Sequence, residues 1–111
     1  MSAIADGEQT LSLDFWAFLT DCQARNLSPN TIRIYRDNLE RFRQWYGGKV
    51  QTVTASDIRA HIVHLQETHN PGGVHQAYRV LKTFFRWLWL EYEIDKPCPI
   101  SKVKSPRLPR E

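Results

Sequence analysis

Between Val74 and Tyr92 the apolar residues return every three or four positions, and that recurrence limits what the chain can fold into. At about 3.6 residues per turn, Val74, Ala77, Tyr78, Leu81, Phe84, Phe85 and Leu88 fall on one side of a helix. A stripe this aromatic cannot stand alone in water, so other elements must cover it. The rest of the chain offers only helices for that task. Phe15, Phe18, Leu19 and Cys22 share one side of an earlier segment, with Trp16 beside them. Thr31, Ile34, Tyr35, Asn38, Leu39, Phe42 and Tyr46 line a second, and Ile58, Ile62 and Leu65 a third. No period-two alternation runs between turn signals, so the chain reads as all-α.

Local signals set the boundaries. Ser28 is a good N-cap and Pro29 stands at the first helical position, where its missing N–H costs nothing. Gly47 and Gly48 end that helix. Thr54 with Asp57 is a variant capping box, and "NPGG" at 70–73 reads as a break. The expected helices are therefore 10–24, 28–46, 55–69 and 74–92. The tail "DKPCPISKVKSPRLPRE" holds four prolines and reads as an extended basic linker. Three regions result: a flexible N-terminus (1–9), a helical domain (10–95) and a linker (96–111) leading to something further. At 111 residues there is material for one compact core.

Other classes are disfavoured. "MSAIADGEQT" lacks the basic start and apolar stretch of a signal peptide, and no apolar run is long enough to span a bilayer. Cys22 and Cys98 fit neither a metal spacing nor a disulfide framework, so both are read as reduced thiols in the cytoplasm. His61, His64, His69 and His75 are not completed by Cys or carboxylate at ligand spacing. No metal or cofactor is expected.

The charge is modest in sum, +3, but unevenly placed. Residues 1–27 carry four acids and one base, and residues 28–50 five bases and two acids. Residues 71–90 hold Arg79, Lys82 and Arg86 with no acid, and the tail has five bases against Glu111. Such segregation suits a polyanionic partner. On a helical wheel with His75 at zero, Arg79 lies near ~40°, Thr83 near ~80°, Arg86 near ~20°, Lys82 near ~340° and Gln76 near ~100°, opposite the apolar stripe. Bases in such a strip neutralise phosphates, while Gln, Thr and His can reach base edges. A solvated outer face is the competing explanation, weakened by the lack of acids among these bases. At the start of the second helix, Ser28, Asn30 and Thr31 put polar groups beside free backbone N–H groups, ground for a phosphate oxygen or for capping alone. Further along it, Arg33 with Asp37 and Arg36 with Glu40 have the spacing of intrahelical pairs.

"LSPNTIRIYRDNLERFRQWYG", "VTASDIRAHIVHL", "AYRVLKTFFRWLWLEYEI" and "KPCPISKVKSPRLP", in this order, resemble the N-terminal core-binding domain of tyrosine recombinases, the phage-integrase family. Ser28, Thr31, Tyr35, Leu39 and Phe42 carry the likeness, with Thr54, Asp57 and Ile58, then Arg79, Leu81, Phe84, Phe85 and Leu88. The resemblance implies a SAM-like orthogonal bundle of four helices that grips one face of duplex DNA during integration or recombination. It implies DNA contacts from Asn30, Thr31 and Arg33, and from His75, Gln76, Arg79, Lys82, Thr83 and Arg86. Lys102, Lys104 and Arg107 would follow the backbone. Further partners would be a C-terminal catalytic domain of the same protein and neighbouring protomers, the domain alone being monomeric. In that family a tyrosine attacks the scissile phosphate without a cofactor. This chain has no H-x-x-R motif, and Tyr35, Tyr46, Tyr78 and Tyr92 lie in or at the ends of helices. It is therefore expected not to cleave DNA itself. The alternative function is a helical protein-interaction module; a helix-turn-helix repressor fits the spacing less well.

Overall fold

The computed structural model describes the backbone of residues 4–107 and the side chains of residues 13–107. The ends of the expected N-terminal and linker regions, 1–3 and 108–111, lie outside the described residues. Four α-helices follow one another: α1 (Ile4–Ala24), α2 (Pro29–Tyr46), α3 (Ala55–Gln66) and α4 (Pro71–Glu91). Two short 3-10 turns, Val50–Thr52 and Pro99–Lys102, complete the regular structure, and no strand occurs among the described residues. No helix among them is long and apolar enough to cross a membrane. The chain divides into two compact units at Val53/Thr54.

In the first unit α1 packs on α2. Phe18 and Cys22 of α1 and Leu39 and Phe42 of α2 are fully buried, and the Phe18 ring stacks on Tyr35 at 5.7 Å. Helix α1 starts at Ile4, about six residues (one to two turns) before the expected start near Thr10. Helix α2 opens as expected, with the Thr31 N–H donating to Ser28 Oγ at 3.1 Å. It closes on Gly47 at φ 78°, a left-handed conformation that glycine adopts without a Cβ penalty. Asn38 is buried on the apolar face but satisfied: its amide donates to the Ile34 carbonyl and accepts from Arg41.

In the second unit α3 and α4 pack on each other, and the Pro99–Lys102 turn packs on both. Thr54 and Asp57 form the reciprocal capping box at 3.1 and 2.9 Å. Helix α4 begins earlier than expected. Asn70 is its N-cap, accepting from the Gly73 N–H at 2.7 Å, and Pro71 is its first residue. The "NPGG" break is thus a helix start of the same kind as Ser28–Pro29, with two glycines in its first turn. Val74, Ala77, Tyr78, Leu81, Phe84, Phe85 and Leu88 are buried as the periodicity required, joined by Val80 and Trp89.

The tail departs most from expectation. Residues 96–103 do not run as an extended linker. Pro99, Ile100 and Val103 are buried, and the packed unit continues past the boundary expected at 95. Three hydrogen bonds from side chains of α3 and α4 hold the segment: Trp89 Nε1 to the Lys96 carbonyl at 3.0 Å, Arg59 to the Lys102 carbonyl at 3.1 Å and Tyr78 Oη to the Val103 carbonyl at 3.2 Å. Proline is tolerated here because a 3-10 turn can begin on it.

Candidate nucleic-acid interface

The buried half of α4 fixes the direction of its other half. With Ala77, Leu81, Phe84 and Leu88 held inward, Gln76, Arg79, Lys82, Thr83 and Arg86 face outward and are all exposed. His75, at the margin of the strip, has its ring 6.4 Å from that of Tyr78. No ion pair or side-chain hydrogen bond with another described residue engages Arg79, Lys82 or Arg86. Like charges three and four residues apart on one helix repel by about 0.2–0.5 kcal/mol per pair, so the arrangement weakens α4 slightly.

This strip borders an open groove of about 560 Å³ lined by His75, Tyr78, Arg79, Lys82, Thr83, Arg86 and Ser105. Among the described residues no carboxylate lines it. Ser105 comes from the folded-back tail and is absent from the residues expected at the site, because a proline-rich basic tail reads as a linker. The spacing of Ile100 and Val103, both buried, is the signal in the sequence that points to a packed tail. Gln76 stands on α4 outside this lining.

Two of the expected tail contacts lie elsewhere. Lys102 and Lys104 line a second depression of about 390 Å³ with Arg59, Ile62, Val63, Gln66, Val103 and Pro106. Arg59, also absent from the expected set, is thereby placed among bases. Arg107 is exposed and lines neither depression.

Asn30, Thr31 and Arg33 belong to the first unit and form a local cluster at the start of α2. Arg33 Nη2 donates to Asn30 Oδ1 at 2.6 Å, and its Nη1 lies 3.8 Å from Asp37. The Ser28 hydroxyl donates to Thr31 Oγ1 at 2.9 Å while capping the helix. Glu40 does not pair with Arg36 as its spacing suggested. It takes Arg43 on both oxygens, and Gln44 adds a donor. That guanidinium holds the Glu40 carboxyl below its ordinary range despite partial burial. Arg36 is exposed, with no ion pair to a described residue.

The four tyrosines are accounted for by packing or hydrogen bonds. Tyr35 stacks on Phe18, Tyr46 shares a hydrogen bond with Thr52 at 2.9 Å, Tyr78 donates to Val103, and Tyr92 packs edge-on to Trp87. Among the described residues no group of three His, Cys, Asp or Glu could hold a metal ion. Both cysteines are free, and burial raises the pKa of each thiol. At Cys98 the Arg86 charge pulls the other way, placing the end of the basic strip within electrostatic reach of the tail.

Residues 15–94 match the family described as phage integrase, N-terminal SAM-like domain. A tyrosine recombinase XerC from Roseiflexus castenholzii (strain DSM 13941 / HLO8) is 30% identical over 92 residues, covering 78% of this chain and 29% of the relative. The chain thus spans under a third of that relative's length. No solved structure matches.

Proposed function

Because this chain belongs to the family of phage-integrase N-terminal SAM-like domains, we propose that it is the DNA-gripping part of a site-specific tyrosine recombinase, with α4 laid against the duplex. The observation that carries the reading is the strip of Arg79, Lys82 and Arg86, exposed, lacking acid partners among the described residues and gathered round one groove. Exposed bases on a helix ordinarily alternate with acids that lower their mutual repulsion. Three bases that forgo this gain most from phosphates, since each contact releases condensed counterions from the DNA. Thr83, His75 and Gln76 stand among them with the donors and acceptors that base edges require. At the start of α2, Asn30, Thr31 and Arg33 add a second set of polar groups beside backbone N–H groups.

Cleavage and rejoining belong to the rest of such a recombinase, because the tyrosines described here already have structural roles. The cytoplasm, where reduced thiols persist, is the compartment of this role. Leu90 is 80% exposed and Tyr92 48% exposed at the end of α4, the ground on which a catalytic domain or a neighbouring protomer would pack.

Amide chemical shifts recorded while short duplex DNA is added test the assignment. Shifts concentrated along residues 75–86 are expected at low salt and should fade as salt rises. An α4 that stays silent at low salt contradicts the reading and leaves a protein-interaction module as the better description.

A further inference from the structure

We propose that the groove between α4 and the folded-back tail seats one phosphodiester of the nucleic acid, with Ser105 as a ligand and Tyr78 as the residue that positions it. This rests on the nucleic-acid reading of α4 and deepens it. One wall of the groove is cationic, from Arg79, Lys82 and Arg86, and Ser105 is the tail's contribution to the lining. Ser105 shares the groove with three cationic side chains, and its hydroxyl, held only by a long 3.5 Å bond to the Pro106 carbonyl, can turn to an anion that accepts from all of them, adding a donor and no competing negative charge.

Ser105 faces α4 only because the tail is locked two residues earlier. Tyr78 is 5% exposed and stands on the buried side of α4, where a phenylalanine would satisfy packing equally well. A buried hydroxyl is costly unless it finds a partner. That partner is the Val103 carbonyl, 25 residues along the chain. Val103 is itself only 6% exposed, and the Arg59 bond to the Lys102 carbonyl fixes the preceding residue. The tail thus crosses the unit in one register. Lys102 and Lys104 go to the α3 side and Ser105 to the α4 side. Tyr78 also lines the groove, but its hydroxyl is engaged by the Val103 carbonyl, so it acts by positioning the tail and not as a donor to the phosphate.

The test uses the whole chain, a short duplex and, separately, inorganic phosphate, with Tyr78→Phe, Ser105→Ala, Ser105→Thr, Ser105→Glu and Arg79→Gln compared with the unaltered chain. Circular dichroism first shows that each variant keeps its helices. Ser105→Ala and Tyr78→Phe are expected to weaken duplex binding by about threefold to tenfold, the worth of one hydrogen bond. Ser105→Thr, which keeps the hydroxyl, should retain affinity. Ser105→Glu should weaken it more than Ser105→Ala does, because its carboxylate occupies the seat. In Tyr78→Phe the amide shifts of residues 103–105 should move toward random-coil values before any ligand is added, and inorganic phosphate should no longer shift residues 79–86. Arg79→Gln separates the two levels of the proposal. If it weakens binding while all Ser105 variants bind like the unaltered chain, the seat is refuted and the nucleic-acid reading stands. If Arg79→Gln also changes nothing, the reading itself falls. Weakened binding by Tyr78→Phe with residues 103–105 unmoved would overturn the positioning role.

Discussion

Arg79, Lys82 and Arg86 are a surface arrangement that stability does not explain. They sit at i, i+3 and i+7 without a neutralising acid among the described residues, so each adjacent pair costs the folded helix a few tenths of a kcal/mol. Lys82→Gln is therefore expected to leave thermal stability unchanged or raise it slightly, by up to about 1 kcal/mol, while weakening duplex binding. Thermal melts beside binding titrations check both halves; a clear loss of stability would mean that Lys82 serves the fold. Glu40 is the opposite case, a charge that does support the fold. Its folded pKa is lowered by Arg43, so its contribution is present above its ordinary value of 4.5 and lost as pH falls through the folded value. The pair is partly exposed, with Glu40 at 46%, so solvent screens it and the effect is small. Arg43→Gln should lower the neutral plateau of a stability-versus-pH curve slightly and leave its acid end in place, so that the limb below about 4.5 is flatter.

At the scale of elements, much of this molecule is legible in its sequence. Periodicity places the buried stripe of α4 residue by residue, and with it the exposed bases, because one helix has one inward side. Ser28–Pro29 and Thr54–Asp57 locate two helix starts through specific hydrogen bonds. Asn70–Pro71 obeys the same rule but is obscured by Gly72 and Gly73, whose usual association with turns outweighs the cap. The tail misleads for a related reason. Its prolines exclude an α-helix but not a 3-10 turn, and only tertiary packing shows that Ile100 and Val103 have a place to be buried. The groove depends on that packing, so neither Ser105 nor Tyr78 stands out in the sequence as a site residue. Ile100→Ala tests whether the tail is part of the unit: at 3% exposure its loss should cost about 2–4 kcal/mol in denaturant unfolding. A change near zero would return the tail to the status of a linker.

Across the whole molecule, family membership and surface charge carry different parts of the conclusion. Residues 15–94 place the chain among phage-integrase N-terminal SAM-like domains, and a tyrosine recombinase XerC is 30% identical over 92 residues. Neither identifies which side chains meet a ligand. That step rests on the second unit, where a helix buried on one side presents unneutralised bases to a groove closed by its own tail. The strip and the family point to the same partner, and the partner's defining property is its linear charge. The most direct measurement is therefore the salt dependence of duplex binding for the unaltered chain and for the combined Arg79→Gln, Lys82→Gln, Arg86→Gln variant. The logarithm of the binding constant should fall linearly with the logarithm of salt concentration, and the variant should lose about 0.9 of slope for each phosphate contact removed. Equal slopes for the two proteins, or binding indifferent to salt, would contradict the assignment of α4 to DNA.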